Sequence, residues 1–293
     1  MSGQDGLGER FDAQRARLRA VAYRMLGSVA EAEDAVQEAW FRLARAESGA
    51  IENLDGWLTT VVSRICLDML RSRVARREEP LDPAGEAISP ERDPEHEAVL
   101  IDSVGRALLV VLGALTPEER VAFVLHDMFA VPFGEIAPVV GRTAATTKKL
   151  ASRARLRVRG ESTTPVAELV EQRDVVTAFL AAARDGDLSA LLAVLAPEVV
   201  RTADPAALPP GMAVVVRGAQ AVAGETLVLQ RRSQVAVVAL LDGAVGIVVA
   251  PGGVLHSAVR VTVDRGRVAA YEVIADPVRL RDLDIAILPE QLA

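Results

Sequence analysis

The sequence predicts a multidomain protein: two all-α domains followed by an α+β domain. Three observations predict it. Residues 9–77 carry apolar side chains at helical spacing almost without interruption. Residues 142–159 hold seven cations and no acid, directly after two short apolar-patterned segments. Beyond residue 164 the composition shifts to Val and Ala runs separated by turn residues. A run of helices followed by a run of strands is the pattern of segregated α and α+β domains.

In the first domain, Leu18, Val21, Ala22, Met25 and Leu26 recur at three- and four-residue steps, the mark of a buried helix face. Gly27-Ser28 ends that helix, and Ser28 with Glu31 reads as a capping box that starts the next. Over Val29 to Arg45, Ala32, Ala35, Val36, Ala39, Trp40 and Leu43 share one side; Glu31, Asp34, Gln37, Glu38 and Arg42 share the other. A third helix is expected from Trp57 to Arg77, apolar at first and basic in its last two turns. From residue 64 to 77 there are five arginines against one aspartate, a balance of +4.

Residues 78–97 reverse that sign, with eight acids against Arg92, and contain Pro80, Pro83, Pro90, Pro94 and Gly85. This composition reads as an acidic linker. The second domain is expected over 98–159. Its helices run from Pro94 through Leu112, Pro117 to Met128, Phe133 to Val140 and Thr143 to Arg159, with Thr116 as N-cap and Pro117 in the first turn. Pro138 is expected to kink or shorten its helix. Two short helices ahead of a basic one fit a helix-turn-helix, which presents its last helix to the DNA major groove. The formal net charge of −7 argues against DNA only if charge is evenly spread, and here it is segregated.

The third domain is expected over 165–293 after a short linker at 160–164. Helices Val166–Ala183 and Leu188–Leu195 precede strand-like runs at Ala213–Arg217, Val235–Leu241, Val245–Val249, Ala258–Val263 and Val268–Ile274. Asp242-Gly243 and Asp264-Arg265-Gly266 read as hairpin turns in an antiparallel meander.

The composition bounds the function. Aromatics at 3% leave few stacking platforms. The single cysteine, Cys66, excludes an internal disulfide and a cysteine-rich metal site, and its apolar setting reads as an inert buried thiol. Residues 1–10 lack a signal-peptide core, and no stretch approaches the roughly 20 apolar residues of a membrane span. The expectation is a cytoplasmic protein with no membrane contact, no metal and no cofactor.

Tyr23 to Leu43, which includes Ala-Glu-Asp-Ala-Val-Gln-Glu-Ala-Trp, resembles region two of extracytoplasmic-function (ECF) sigma factors of bacterial RNA polymerase. Leu115-Thr-Pro-Glu-Glu-Arg, Phe133-Gly-Glu-Ile-Ala and Leu150-Ala-Ser-Arg-Ala-Arg resemble their region four. The part from about residue 165 resembles the SnoaL-like cone, a nuclear-transport-factor-like domain fused to one subgroup. That likeness rests on its architecture and on Val273-Ile-Ala-Asp-Pro-Val-Arg-Leu280.

The resemblance implies a promoter-specificity subunit that binds RNA polymerase core and promoter DNA, controlled in cis by its third domain and catalysing nothing. It assigns polymerase docking to Asp34, Gln37, Glu38, Trp40 and Arg42. It assigns the near-start promoter element to Trp57, Ser63, Arg64, Arg71 and Arg73. The upstream element falls to Arg142, Thr143, Thr146, Thr147, Lys148, Lys149 and Arg153, and regulation to Asp276, Pro277, Arg279 and Leu280.

Each assignment has a bland counterpart. Trp40 and Trp57 fit a core, the arginines fit a helix end that favours cations, and the Asp-Pro segment fits a strand terminus. An enzymatic third domain would draw on Asp204, Asp242, His256, Asp264 or Asp276, but their spacing forms no coherent acid–base pair. Whether a small ligand enters that domain is open in the sequence. The alternative from another class is a one-component helix-turn-helix regulator with a ligand-sensing domain; a helical domain ahead of the helix-turn-helix argues against it.

Overall fold

The computed structural model describes residues 2–46, 51, 53–78, 103–251 and 255–288. Apart from Glu78, the acidic linker expected at 78–97 lies outside the described residues. The chain divides into two compact units. One comprises residues 1–102 and 115–155, the other 103–114 and 156–293.

The first unit begins with α1 (Ser2–Leu26), α2 (Val29–Arg45) and α3 (Leu54–Glu78). They pack on one another through Leu18, Met25, Leu26, Val36, Leu43, Leu58, Val62 and Leu67, all buried. Ser28 caps α2 by accepting from the Glu31 N–H at 3.4 Å. The Glu31 carboxylate does not close the reciprocal half of a capping box; it pairs with Arg73 on α3.

Residues 103–113 form α4, which belongs to the second unit. α5 (Pro117–Phe123) follows in the first. The Thr116–Glu119 capping box is complete, with both reciprocal bonds made. The expected helix to Met128 is tighter than the structure: from Val124 to Met128 the backbone widens into a π turn. Ala130 then takes φ 55° to make the corner. His126 closes this turn, its Nδ1 3.0 Å from the Val131 carbonyl and its ring stacked 3.8 Å from Phe133. α6 (Phe133–Val140) runs its full length through Pro138 and stops at Gly141, where φ is +67°. α7 (Ala144–Arg159) completes the helix-turn-helix.

In the second unit, α8 (Val166–Asp185), α9 (Leu188–Val194), α10 (Ala219–Val228) and α11 (Gln230–Ser233) accompany a seven-stranded sheet. The strands are β1 (Leu195–Ala203), β2 (Val215–Arg217), β3 (Ala236–Leu241), β4 (Ala244–Val249), β5 (Ser257–Asp264), β6 (Arg267–Ile274) and β7 (Ile285–Ala286), ordered β2-β1-β6-β5-β4-β3-β7. α12 (Pro277–Arg281) links β6 to β7.

The expected antiparallel meander holds for β3 to β6, but β1 runs parallel to β6 and makes the sheet mixed. β1 was missed because Pro197 and Glu198 interrupt its alternation. α10 was missed because its apolar residues surround the helix and show no single face. Phe179, Leu180, Leu191, Val199, Val222, Leu240, Ile247 and Tyr271 form the core between helices and sheet.

The expected linker at 160–164 is fastened to this sheet. The Ile287 N–H donates to Val158 O at 3.0 Å, and Ser162 Oγ donates to Gly243 O at 2.5 Å. Gly160 has φ +61°, and a Cβ there would collide with the Ala286 side chain. α4 packs on β3. The second unit therefore includes the start of the helix-turn-helix region and the last turn of α7.

Gly160→Ala should destabilise the second unit by about 1–3 kcal/mol, the usual cost of overpacking. Gly266→Ala is the control, because φ is +70° there too but open space surrounds the site. Denaturant midpoints should fall clearly further for Gly160→Ala; equal shifts would mean that backbone strain alone matters.

Candidate nucleic-acid and protein interfaces

Helical phase decides what α2 shows to solvent. Asp34, Gln37, Glu38, Arg42 and Arg45 are exposed on one face, with Arg42 Nε donating to Glu38 at 2.9 Å across one turn. Trp40 is not part of that face. It is half-buried beside Phe11 of α1, ring centroids 5.0 Å apart. The aromatic that the face does carry is Phe41, 46% exposed, which sequence reasoning passed over. Its signal was available: Phe41 lies four residues after Gln37 and seven after Asp34. Beside the face, Phe11, Arg15, Glu33, Gln37 and Trp40 line a groove of about 410 Å³ between α1 and α2.

On α3, Trp57 is half-buried and Ser63 fully buried, its hydroxyl without a hydrogen-bond partner among the described residues. Ser63 is therefore a correction: helical phase turns it inward, where it cannot touch DNA. The arginines are outside but engaged. Arg64 Nη2 donates to Pro138 O at 3.2 Å, and Arg71 donates to the Glu118 carboxylate at 2.7 and 3.0 Å. Arg73 donates to Leu26 O at 2.9 Å and pairs with Glu31. The paired Arg71 guanidinium, with Arg142 nearby, holds the Glu118 carboxyl below the usual carboxylate range against the opposing effect of its partial burial.

Arg120 does what no reading of the sequence assigned. It is 5% exposed, and its guanidinium donates to Arg24 O at 3.3 and 3.4 Å, at the C-terminal end of α1. Burial, aided by the neighbouring Arg73 cation, pushes its pKa down to about 9. Cys66 is buried beside it, and desolvation pushes that thiol up to about 12, so it is inert.

Arg155 of α7 pairs with Asp127 at 2.5 Å, while the cations at the start of the helix face solvent. Arg142, Thr143, Thr146, Lys148, Lys149 and Arg153 are exposed. Thr143 Oγ1 accepts from the Thr146 N–H at 3.2 Å and so caps the helix. Thr147 is a second correction. It is fully buried and its hydroxyl donates to Thr143 O at 3.0 Å, so it anchors the helix and reaches no base.

In the second unit, Asp276 caps α12, accepting from Val278 and Arg279 N–H at 2.9 and 3.0 Å. Asp204 accepts from Ala275 and Asp276 N–H at 3.0 Å each and from Arg279 Nη1 at 2.5 Å. Arg279 also pairs with Glu272, which reaches Arg260, which in turn pairs with Asp242. Asp204 and Asp242 are thus structural anchors on an ionic ladder across the sheet. His256 and Asp264 are exposed, at a strand entry and a hairpin turn. Pro277 and Val278 are exposed, Val278 by 61%, while Arg279 and Leu280 are half-buried.

Two buried polar residues, Arg201 and Tyr271, and their half-buried partners Glu225 and Thr226 escaped the sequence reading. Arg201 is buried and pairs with Glu225 of α10, and Tyr271 Oη lies 2.8 Å from Thr226 Oγ1. Only the register of β1 with β6, which sets Arg201 beside Tyr271, brings them together. Among the described residues no helix is long and apolar enough to cross a membrane.

The Asp204 pKa is lowered, because the Ala275 and Asp276 amides and Arg279 together outweigh its partial desolvation. A depressed carboxylate contributes stability above its unfolded pKa, about 3.9, and loses it as pH falls through the lower folded value. Asp204→Asn should lower the urea midpoint at neutral pH, and the gap should close below about pH 4. A gap independent of pH would remove the ionised carboxylate from this role.

Comparisons with known proteins identify the family. The family model for sigma-70 region 2 matches residues 11–76 and that for sigma-70 region 4 matches residues 105–158. The chain is similar to a probable ECF RNA polymerase sigma factor, SigI, of Mycobacterium tuberculosis, at 37% identity over 97% of this chain and 98% of the relative. It is similar to SigJ of the same species at 39% identity over 91% of each. The crystal structure of SigJ aligns at 36% identity over 93% of this chain and 97% of that one, with a TM-score of 0.45. Relatives matched along nearly the whole chain leave no support for a one-component regulator.

Proposed function

This chain belongs to the extracytoplasmic-function RNA polymerase sigma factors, and from that premise we propose which of its surfaces meet polymerase and promoter. The α2 face of Asp34, Gln37, Glu38, Phe41 and Arg42 docks polymerase core. A half-exposed aromatic ringed by charged groups is the composition of an interface anchor. Trp40 supports that face from behind by packing on Phe11. The observation that carries this reading is Phe41, an apolar side chain left in solvent on a polar helix face.

Promoter DNA is met by two basic surfaces. Lys148, Lys149 and Arg153 on α7, with Thr146 in its first turn and Arg142 and Thr143 just ahead of it, suit the upstream element. The first turns of such a helix reach base edges while flanking cations hold phosphates. Trp57, Arg64, Arg71 and Arg73 on α3 suit the near-start element. We assign cis control to the second unit through the α12 segment. Pro277 and Val278 form its presenting surface, and Asp276 and Arg279 set its shape. Disrupting Asp276 or Arg279 therefore tests stability and regulation together, whereas Val278 tests regulation alone.

Phe41→Ala should weaken core-polymerase binding several-fold with helix content unchanged, while Trp40→Ala should chiefly lower thermal stability. The opposite pattern in titration and melting would reverse the two roles. Alanine at Lys148, Lys149 and Arg153 should reduce the salt dependence of promoter binding, by about one unit of slope for each phosphate no longer neutralised. Val278→Asp should change transcription from a cognate promoter at unchanged melting temperature; unaltered transcription would separate α12 from control.

A further inference from the structure

We propose that Lys148 and Lys149 form an acylation site, at which an activated acyl group on a phosphate-bearing donor neutralises both amines and releases the protein from promoter DNA. This rests on the assignment of α7 to the upstream element. The chain holds 33 lysines and arginines, and these two are its only lysines. Arginine makes the ion pairs with Glu33, Glu118, Asp127 and Glu272, and arginine supplies the buried cations Arg120 and Arg201. At 148 and 149 a guanidinium would hold a phosphate or a guanine edge as well as an ammonium does. What a guanidinium does not do is shed a proton and act as a nucleophile. Reactivity, not charge, sets these two positions apart.

Their setting suits acyl transfer. Both lysines are exposed in the first turns of α7, and neither is held by an ion pair or hydrogen bond among the described residues. At helical spacing Lys148 is flanked by Ala144, Ala145, Ala151 and Ser152, all small, so its own helix does not shield it. Lys149 has Arg153 one turn on, and residues 142–159 hold no acid. A surface that neutralises DNA phosphates also concentrates a phosphate-bearing donor. In the transfer, the ammonium gives one proton to solvent and its nitrogen attacks the acyl carbon. The N–C bond forms as the C–O bond of an acyl phosphate, or the C–S bond of a thioester, breaks. The second proton leaves with the phosphate or the thiol. Each amide formed removes one positive charge from a run of seven cations. Thr147 keeps its bond to Thr143 O throughout, so the helix stays anchored.

The test treats the full chain in parallel with acetyl phosphate and with acetyl-coenzyme A, then digests it with trypsin for mass spectrometry. Trypsin does not cut after an acetylated lysine, so the peptide Thr143–Arg153 should survive whole, carrying two acetyl groups. Modification by one donor and not the other identifies the source as an acyl phosphate or a thioester. A promoter duplex present during treatment should protect both lysines. Doubly acetylated protein should bind the promoter roughly ten-fold more weakly, with a salt slope lower by about two. Its binding to core polymerase should not change.

Lys148→Arg with Lys149→Arg keeps both charges and removes both nucleophiles. Whatever its own starting affinity, treatment should leave that affinity and its salt slope unaltered. Lys148→Gln with Lys149→Gln should reproduce the treated parent. Lysines left unmodified by both donors, a modified parent that binds as before, or an arginine variant that still loses affinity on treatment would each overturn the proposal. The treated parent is the native sequence, so the result does not depend on how a variant folds. A glutamine variant that binds the promoter as the parent does would withdraw α7 from the upstream element, and this inference with it. A glutamine variant that binds weakly, beside lysines that resist both donors, would count against acylation alone.

Discussion

The carbonyl end of α1 is the point on which the first unit turns. Two guanidiniums converge there. Arg73 arrives from the basic half of α3 and reaches Leu26 O; Arg120 arrives from the helix-turn-helix and reaches Arg24 O. A helix C-terminus leaves its last carbonyls unpaired and carries partial negative charge, so it is one of the few backbone features able to hold a buried cation. Arg73 lies close enough for its cation to add to the effect of burial in lowering the Arg120 pKa. The basic character of α3, which reads in the sequence as a DNA surface, is in this fold the material of an internal contact as well.

The second unit solves a different problem. It carries helices on a mixed sheet, and its outer ionic ladder joins Asp204, Arg279, Glu272, Arg260 and Asp242 across strands that are far apart in sequence. Asp204 unites the end of β1 with the start of α12, so the segment bearing the sigma-subgroup likeness is shaped by a residue about seventy positions upstream. The same unit grips Val158 through Ile287 and takes α4 onto β3. Both ends of the helix-turn-helix region are therefore part of the body formed by the C-terminal domain. Residues 160–164 are fastened to the sheet rather than slack.

Much of this was legible in the residues. Helical spacing located α2, α6 and α8 to within a residue or two at most ends, because an amphipathic face declares its period whatever it packs on. Turn chemistry located the β3–β4 and β5–β6 hairpins, since Asp242-Gly243 and Arg265-Gly266 demand positive φ. The exposed cations of α7 followed from a run of charge that no core accommodates. The failures have equally definite causes. Ser63 and Thr147 share a helix with exposed cationic neighbours, and hydroxyl side chains look polar whether they point outward or inward. Trp40 and Phe41 are adjacent aromatics, and the packing of Phe11 against Trp40 leaves Phe41 as the more exposed of the two.

By itself, then, the sequence determined the order of domains, the family, and which helices are basic enough to meet DNA. These depend on local periodicity, charge density and contiguous motifs, which need no knowledge of what lies across the molecule. Tertiary structure alone decided what each charge is doing. Arg64 and Arg71 satisfied by the helix-turn-helix, Arg120 buried at the end of α1, Asp204 holding α12, and Arg201 sealed beside Glu225 are all pairings between distant segments. A guanidinium carries the same donors in any setting, and its partner is chosen by geometry and burial, which exist only once the chain has folded.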